Sequence, residues 1–271
     1  MGPDALSLNQ ATAETTGTAE VLAACRDAGI GQVSLWRHQY VGGDAAATRR
    51  AVDSHGLRVS SLCRGGFFTG TRSEREAAED NRRAVDESAV LGAPILVLVC
   101  GPVLAAGLAV AEAAIERGIE RLLPYAHDAG VTLAVEPFHP MLAAERSAIV
   151  TLAQADRLVS RLGDPAVRIA LDTYHVWWDP ELAASVAAAG DRIAAVHVAD
   201  WLVPTPDLLA GRGLPGDGVI DLAGLLALVR HTGFAGPVEV EVLNPRVWAR
   251  PVRDLLPDVV RRMRALLPVP A

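Results

Sequence analysis

GDPAVRIALDTYHVWWDPELAASVAAAGDRIAAVHVADW, residues 163–201, carries the pattern that decides the fold. Gly163 closes a helical stretch, and the apolar run 167–172 that follows stops at Asp172. An Ala-rich stretch then ends at Gly190, and the next apolar run, 193–198, holds His197 near its end. Gly just past a helix is the expected left-handed cap, and a short β-rich run after it reads as a strand. The phrase recurs at Gly29, Gly56, Gly92, Gly130, Gly163, Gly190 and Gly233, a mean spacing of 34 residues. The unit is αβ, iterated.

With one strand added at the front, the reading places eight, near 5–9, 32–36, 57–63, 95–99, 132–136, 167–172, 193–198 and 237–242, with helices between them. Eight regular units without a dinucleotide fingerprint predict a closed (β/α)8 TIM barrel, class α/β, more than an open doubly wound sheet. A chain of 271 residues is close to the roughly 250 typical of one such barrel, so a single domain over 1–271 is expected. Half the residues are apolar and no low-complexity tract interrupts them.

Four polar side chains end or nearly end apolar runs: Glu136 in LAVEPFHP, Asp172 in RIALDTYH, His197 in AAVHVADW and Glu241 in VEVEVLNP. Their separations, 36, 25 and 44 residues, each approximate one strand plus one helix. They therefore read as tips of successive strands, where the chemistry of this fold takes place. Strand parity agrees. Glu136 shares a face with Ala134 and Thr132, Asp172 with Ala170, His197 with Ala195 and Glu241 with Glu239, while Leu133, Val135, Leu171 and Val196 point the other way. Any one of these could cap a helix or sit satisfied in a core; four in consecutive tips with matching parity read as ligands of one divalent cation. Glu239, one pleat below Glu241, competes with it, and position at the strand end favours Glu241.

Three carboxylates and an imidazole suit Mn²⁺ first, with Mg²⁺ or Co²⁺ close behind and Zn²⁺ still open. A cation bridging a carbonyl and an adjacent hydroxyl acidifies the carbon between them, the hard step of sugar isomerisation. His55, His127 and His231 lie at helix ends before a Gly and are set aside as dipole partners. His38, His139 and His175 fall just after strands, and His175 is placed to meet a substrate oxygen. Arg64 in SLCRGGFF is a rim cation for substrate or a salt bridge; Arg212 in AGRGLPGDG is assigned to substrate. Trp36, Trp178 and Trp201 follow strand tips and offer flat faces for a sugar, with packing at the rim as the other reading. Gly211, Gly213 and Gly216 form a GxGxxG in the wrong context, a late loop read as a lid or turn, with Asp221 capping the next helix.

The net charge of −7 and the absence of a basic stripe argue against nucleic acid and anionic membrane, leaving a small molecule as partner. All 25 basic residues are Arg, which excludes lysine Schiff-base chemistry and a P-loop lysine. Cys25, Cys63 and Cys100 read as reduced core residues. Asp4 and Glu14 stand where a secretory leader would be basic and apolar, so a cytoplasmic chain without a membrane span is expected.

From VEPFHP through LDTYH, HVADW and GRGLPGDGVID to VEVEV, the chain resembles the sugar phosphate isomerase/epimerase superfamily, the xylose isomerase-like barrels that include endonuclease IV. Resemblance to its keto-sugar 3-epimerases implies Glu136, Asp172, His197 and Glu241 as metal ligands, Glu136 and Glu241 as the acid/base pair, and His175 and Arg212 as substrate contacts. Those epimerases carry a further substrate-binding Glu where this chain has His139 and Leu142. The expectation is an isomerase or epimerase of a small keto-sugar or polyol, with homo-oligomers common among such barrels. The alternatives are a lyase or dehydratase on an oxidised sugar or 3-oxo-glycoside, an endonuclease IV-like nuclease, and a non-catalytic metabolite binder.

Overall fold

A computed structural model describes residues 5–40 and 43–267; Asp4 lies outside them. Eight strands run parallel and close into a barrel: β1 (Leu6–Asn9), β2 (Gln32–Trp36), β3 (Arg58–Gly66), β4 (Ile95–Val99), β5 (Thr132–Val135), β6 (Val167–Asp172), β7 (Ile193–Val198) and β10 (Val238–Val240). Every neighbouring pair is consecutive in the chain apart from the two short strands described below, and β10 closes against β1 with Leu6 opposite Val238.

The outer helices are α1 (Thr18–Asp27), α2 (Ala45–Ser54), α3 (Glu74–Leu91), α4 (Leu108–Ala129), α5 (Leu152–Leu162), α7 (Leu182–Ala189), α8 (Leu222–His231) and α10 (Val252–Leu266). Local chemistry sets their ends. Ser73 and Glu76 form a reciprocal capping box at the start of α3, and Gly92 ends it at φ 67°. All seven glycines of the repeated phrase have positive φ. Asp221 caps α8, accepting from the Gly224 N–H at 2.9 Å.

Strand alternation sorts the core into two parts. Leu133, Val135, Ile169, Leu171, Val196, Val198, Val238 and Val240 pack outward against the helices. Cys63, Ile95, Val97, Ala134, Ala170 and Ala195 fill the lumen. The three lumen alanines lie one pleat below Glu136, Asp172 and His197, and their small side chains leave those polar groups room to converge. Each large side chain on the outer face contributes about 1.5–3 kcal/mol by leaving water, which pins the register that points the polar set inward.

Some elements differ from the sequence reading. β3 runs on to Gly66, and the assigned strands β5 and β10 stop one residue before Glu136 and Glu241. Both glutamates still donate backbone N–H groups to the neighbouring strand, Glu136 to Leu98 O and Glu241 to Val198 O. Short helices α6 (Thr173–Val176) and α9 (Pro245–Trp248) follow β6 and β10. The long loop after β7 contains an antiparallel ribbon of β8 (Asp200–Trp201) and β9 (Arg212–Gly213). Asp200 braces it, accepting from Gly216 N at 2.9 Å and Ile220 N at 3.0 Å. All three cysteines are buried and free, and among the described residues no helix is long and apolar enough to cross a membrane.

Candidate metal centre and substrate cavity

Glu136, Asp172, His197 and Glu241 come from adjoining barrel strands, and one ligand atom of each lies within 4.8 Å of all the others, with every member buried. Asp172 divides its oxygens: Oδ1 accepts from Tyr174 N at 2.9 Å and starts α6, while Oδ2 faces the cluster. The helix-capping role and the cluster role therefore coexist in one side chain. His197 Nδ1 lies 2.9 Å from Glu136 Oε1 and 3.6 Å from Glu241 Oε2. Arg212, carried by the ribbon, donates from Nη1 to Asp172 Oδ2 at 2.8 Å and to Glu241 Oε2 at 2.9 Å, and its guanidinium lies 4.7 Å from the centre of the Tyr174 ring.

The electrostatics are those of crowded anions. Burial drives Glu241 up to about 7; Glu136 and Asp172 add to the rise, against the pull of Arg212 and His197. Burial likewise raises Glu136. Burial opposes a charge on His197, but Glu241, Glu136 and Glu239 overcome it and lift the imidazole well above its usual range. His175 is held neutral, its pKa brought down to about 3, chiefly by burial. Three carboxylates facing one imidazole and one guanidinium make an oxygen-rich, net-acidic donor set at one point. That is the chemistry a divalent cation requires, and these four residues would hold it.

Beside the cluster opens a cavity of about 190 Å³ whose wall includes Glu136, Glu241, Arg212, Trp36, Arg64, Phe138 and Arg146. Of the residues expected at substrate, Trp36, Arg64 and Arg212 reach this wall. Among the described residues Arg64 has no carboxylate within salt-bridge distance; it rests 4.2 Å over the Phe67 ring, and burial first, then the charges of Arg146 and Arg72, lower its pKa. His175 is fully buried behind Phe138, stacked on it at 4.1 Å, with Arg212 Nη2 donating to its Nε2 at 3.2 Å. His139, Trp178 and Trp201 do not reach the wall. His139 stacks on Trp201 at 4.9 Å and meets Trp178 edge-on at 5.8 Å, so these rings pack against one another. His38 pairs with Glu14 at 2.9 Å, and His55, His127 and His231 sit at helix ends, as expected.

Two participants were not singled out in the sequence. Arg146 lines the cavity with a buried Nε that has no hydrogen-bond partner among the described residues. Its signal was an Arg in the loop after the fifth strand, on the mouth side. Phe138, two residues beyond Glu136, was readable only as part of the motif.

The barrel carries at its mouth a buried group that could hold a metal ion, and the chain belongs to the xylose isomerase-like TIM barrel family, whose model matches residues 22–266. It is 29% identical over 265 residues to a 3-dehydroshikimate dehydratase of Pseudomonas putida and 31% identical to that of Pseudomonas aeruginosa, matching 93% of this chain and 40% of each relative. The chain thus spans about 40% of the length of those two relatives. An L-ribulose 3-epimerase of a Methylomonas species is 27% identical over 130 residues, 48% of this chain and 41% of that protein. Among solved structures, protein SMc04130 of Sinorhizobium meliloti superposes with a TM-score of 0.92 at 43% identity, covering 97% of this chain and 98% of that one.

Proposed function

We propose that this barrel is a divalent-metal-dependent lyase that removes water from a small polyhydroxylated keto acid, beginning with proton abstraction next to the carbonyl. The observation that carries the reading is the cluster of four candidate ligands opening onto a cavity whose wall holds two guanidinium groups, Arg64 and Arg146, without carboxylate partners among the described residues. Such groups suit a substrate carboxylate, because charge-assisted bonds to a carboxylate are the strong ones. The dehydratases of the two Pseudomonas species support the choice of reaction, and the absence of the epimerases' extra Glu removes a contact to a neutral sugar.

Glu136, Asp172, His197 and Glu241 would hold a divalent cation, which would supply Lewis acidity at the cavity. The oxygen-rich donors point to Mn²⁺, with Mg²⁺, Co²⁺ or Zn²⁺ as alternatives. Glu241, on the cavity wall, takes the carbon-bound proton. Glu136, also on the wall, gives a proton to the departing hydroxyl, which leaves as water while a carbon–carbon double bond forms. Arg64 and Arg146 orient the carboxylate, Trp36 and Phe138 cover the ring faces, and Arg212 and His175 hold the carboxylate ligands in place. The net charge of −7 supports a small-molecule partner over nucleic acid, and a cytoplasmic location is part of the same proposal.

A second reading, a keto-sugar epimerase, is favoured by the presence of two glutamates on one cavity wall, a pair able to serve opposite faces of a substrate carbon. Incubating the Mn²⁺-loaded protein with 3-dehydroshikimate and, separately, with a keto-sugar panel in deuterated water distinguishes them. Loss of one water from the keto acid supports the lyase. Deuterium in recovered sugar without elimination supports the epimerase, and neither result with any of the four metals overturns both.

A further inference from the structure

We infer that Glu239 is a positioning residue, a buried carboxylate that holds His197 Nε2 and thereby presents Nδ1 to the metal centre. Resting on the reading of the cluster as a metal site, this assigns a job to a residue that the ligand set does not use. Glu239 is fully buried in the lumen, one pleat below Glu241. Its Oε1 accepts from Ser60 Oγ at 2.8 Å; its Oε2 accepts from Ser61 Oγ at 3.1 Å and Asn9 Nδ2 at 3.4 Å, and lies at ion-pair distance, 3.4 Å, from His197 Nε2, which is buried and makes no hydrogen bond among the described residues. Ser7 pairs with Ser60 at 2.8 Å and Ser34 with Ser61 at 2.7 Å, so the hydroxyls around the carboxylate are themselves anchored to β1 and β2.

A carboxylate this deep is an expense for the fold, since taking an ion from water costs several kcal/mol and well-packed apolar residues often replace buried ion pairs without loss. Its geometry explains what it does there. An imidazole can offer a lone pair from only one nitrogen when the other carries hydrogen. Glu239 faces Nε2, and Nδ1 is left on the side of Glu136 and Glu241. The opposite tautomer would aim an N–H at the ligand cluster and remove a donor. The same carboxylate reaches the cavity wall: Asn9, which donates to Glu239, accepts the Trp36 indole N–H at 2.7 Å. One buried anion therefore fastens both a metal ligand and a wall of the substrate cavity.

The test uses the full chain with Glu239→Gln and Glu239→Val, Co²⁺ as the probe, and ¹⁵N-labelled protein. Wild type is expected to show a hydrogen-bonded, slowly exchanging His197 Nε2 proton. In Glu239→Gln, an isosteric change that keeps an acceptor, that proton exchanges faster and Co²⁺ binds about tenfold to a hundredfold more weakly. Glu239→Val weakens Co²⁺ at least as much, and Glu239→Gln, which keeps an acceptor for Ser60, Ser61 and Asn9, separates that loss from any fall in the thermal midpoint of the metal-free protein. Co²⁺ affinities within twofold of wild type in both variants, or an Nε2 proton indifferent to the substitution, overturn the inference. If wild type itself fails to bind Co²⁺, the metal reading falls, while the Nε2 proton still decides whether Glu239 orients His197.

Discussion

Replacing Arg146 with Met should make the protein more stable and less able to use an anionic substrate. The Nε of Arg146 is buried without a partner, and its charge disfavours that of Arg64 on the same cavity wall. An unsatisfied buried donor costs about 1–3 kcal/mol, and Met fills similar space with no polar atom. Allowing for lost packing of the guanidinium stem, a gain of about 1 kcal/mol is expected, or a rise of about 2 °C in Tm. Against substrate the sign reverses. Losing a hydrogen bond to a charged group costs about 1.5–3 kcal/mol, which lowers kcat/KM about tenfold to 150-fold for a keto acid. The neutral amide of that substrate lacks the charge, so its turnover should change by less than about threefold. Calorimetry and paired kinetics read both effects. A variant with lower Tm and unchanged keto-acid kinetics would refute the argument, because Arg146 would then be a structural partner and the cavity would have no built anion site.

Other outcomes follow from the same coordinates. Partial burial pushes the Asp80 carboxyl up, but Arg37 first, then Arg72 and Arg83, outweigh it and bring it to about 2, below the ordinary 3.8. A depressed carboxyl contributes stability above 3.8 that is lost as pH falls through about 2. After allowance for its partial exposure, Asp80→Asn should cost about 1 to 1.5 kcal/mol in urea denaturation at pH 7 and progressively less below pH 3.8; a difference independent of pH would contradict this. Adding a divalent cation to chelator-treated protein at a hundred times its Kd should stabilise it by about 2.7 kcal/mol and raise Tm by several degrees. No shift with millimolar Mn²⁺, Mg²⁺, Co²⁺ or Zn²⁺ would exclude a metal centre at Glu136, Asp172, His197 and Glu241.

The barrel and its four candidate ligands were legible in the chain because the signals are local and periodic. Alternation along residues 167–172 and 193–198 states which side chains face the lumen, and the glycines after the helices mark each return to a strand. In a closed barrel all strand ends meet at one mouth, so four polar tips of one parity had to converge. The reading stopped where side-chain direction beyond the strands mattered. His139, Trp178 and Trp201 follow strand ends as Trp36 does, yet His139 stacks on Trp201 and meets Trp178 edge-on, and none of the three lines the cavity wall. Nothing in their spacing foretells that, because loop residues have no fixed parity.

Composition and periodicity alone pointed to a one-barrel α/β chain with an acidic net charge, and they brought Glu136, Asp172, His197 and Glu241 to one end of it. Only the tertiary structure decided that Arg212 bridges two of those carboxylates, that Arg64 and Arg146 face the cavity without counter-charges, and that Glu239 backs His197 while Glu241 joins the cluster. The division has a physical cause. Backbone repeat is written in neighbours three or four residues apart, whereas charge pairing and ring stacking depend on which distant loops fill the same few ångströms once the barrel has closed.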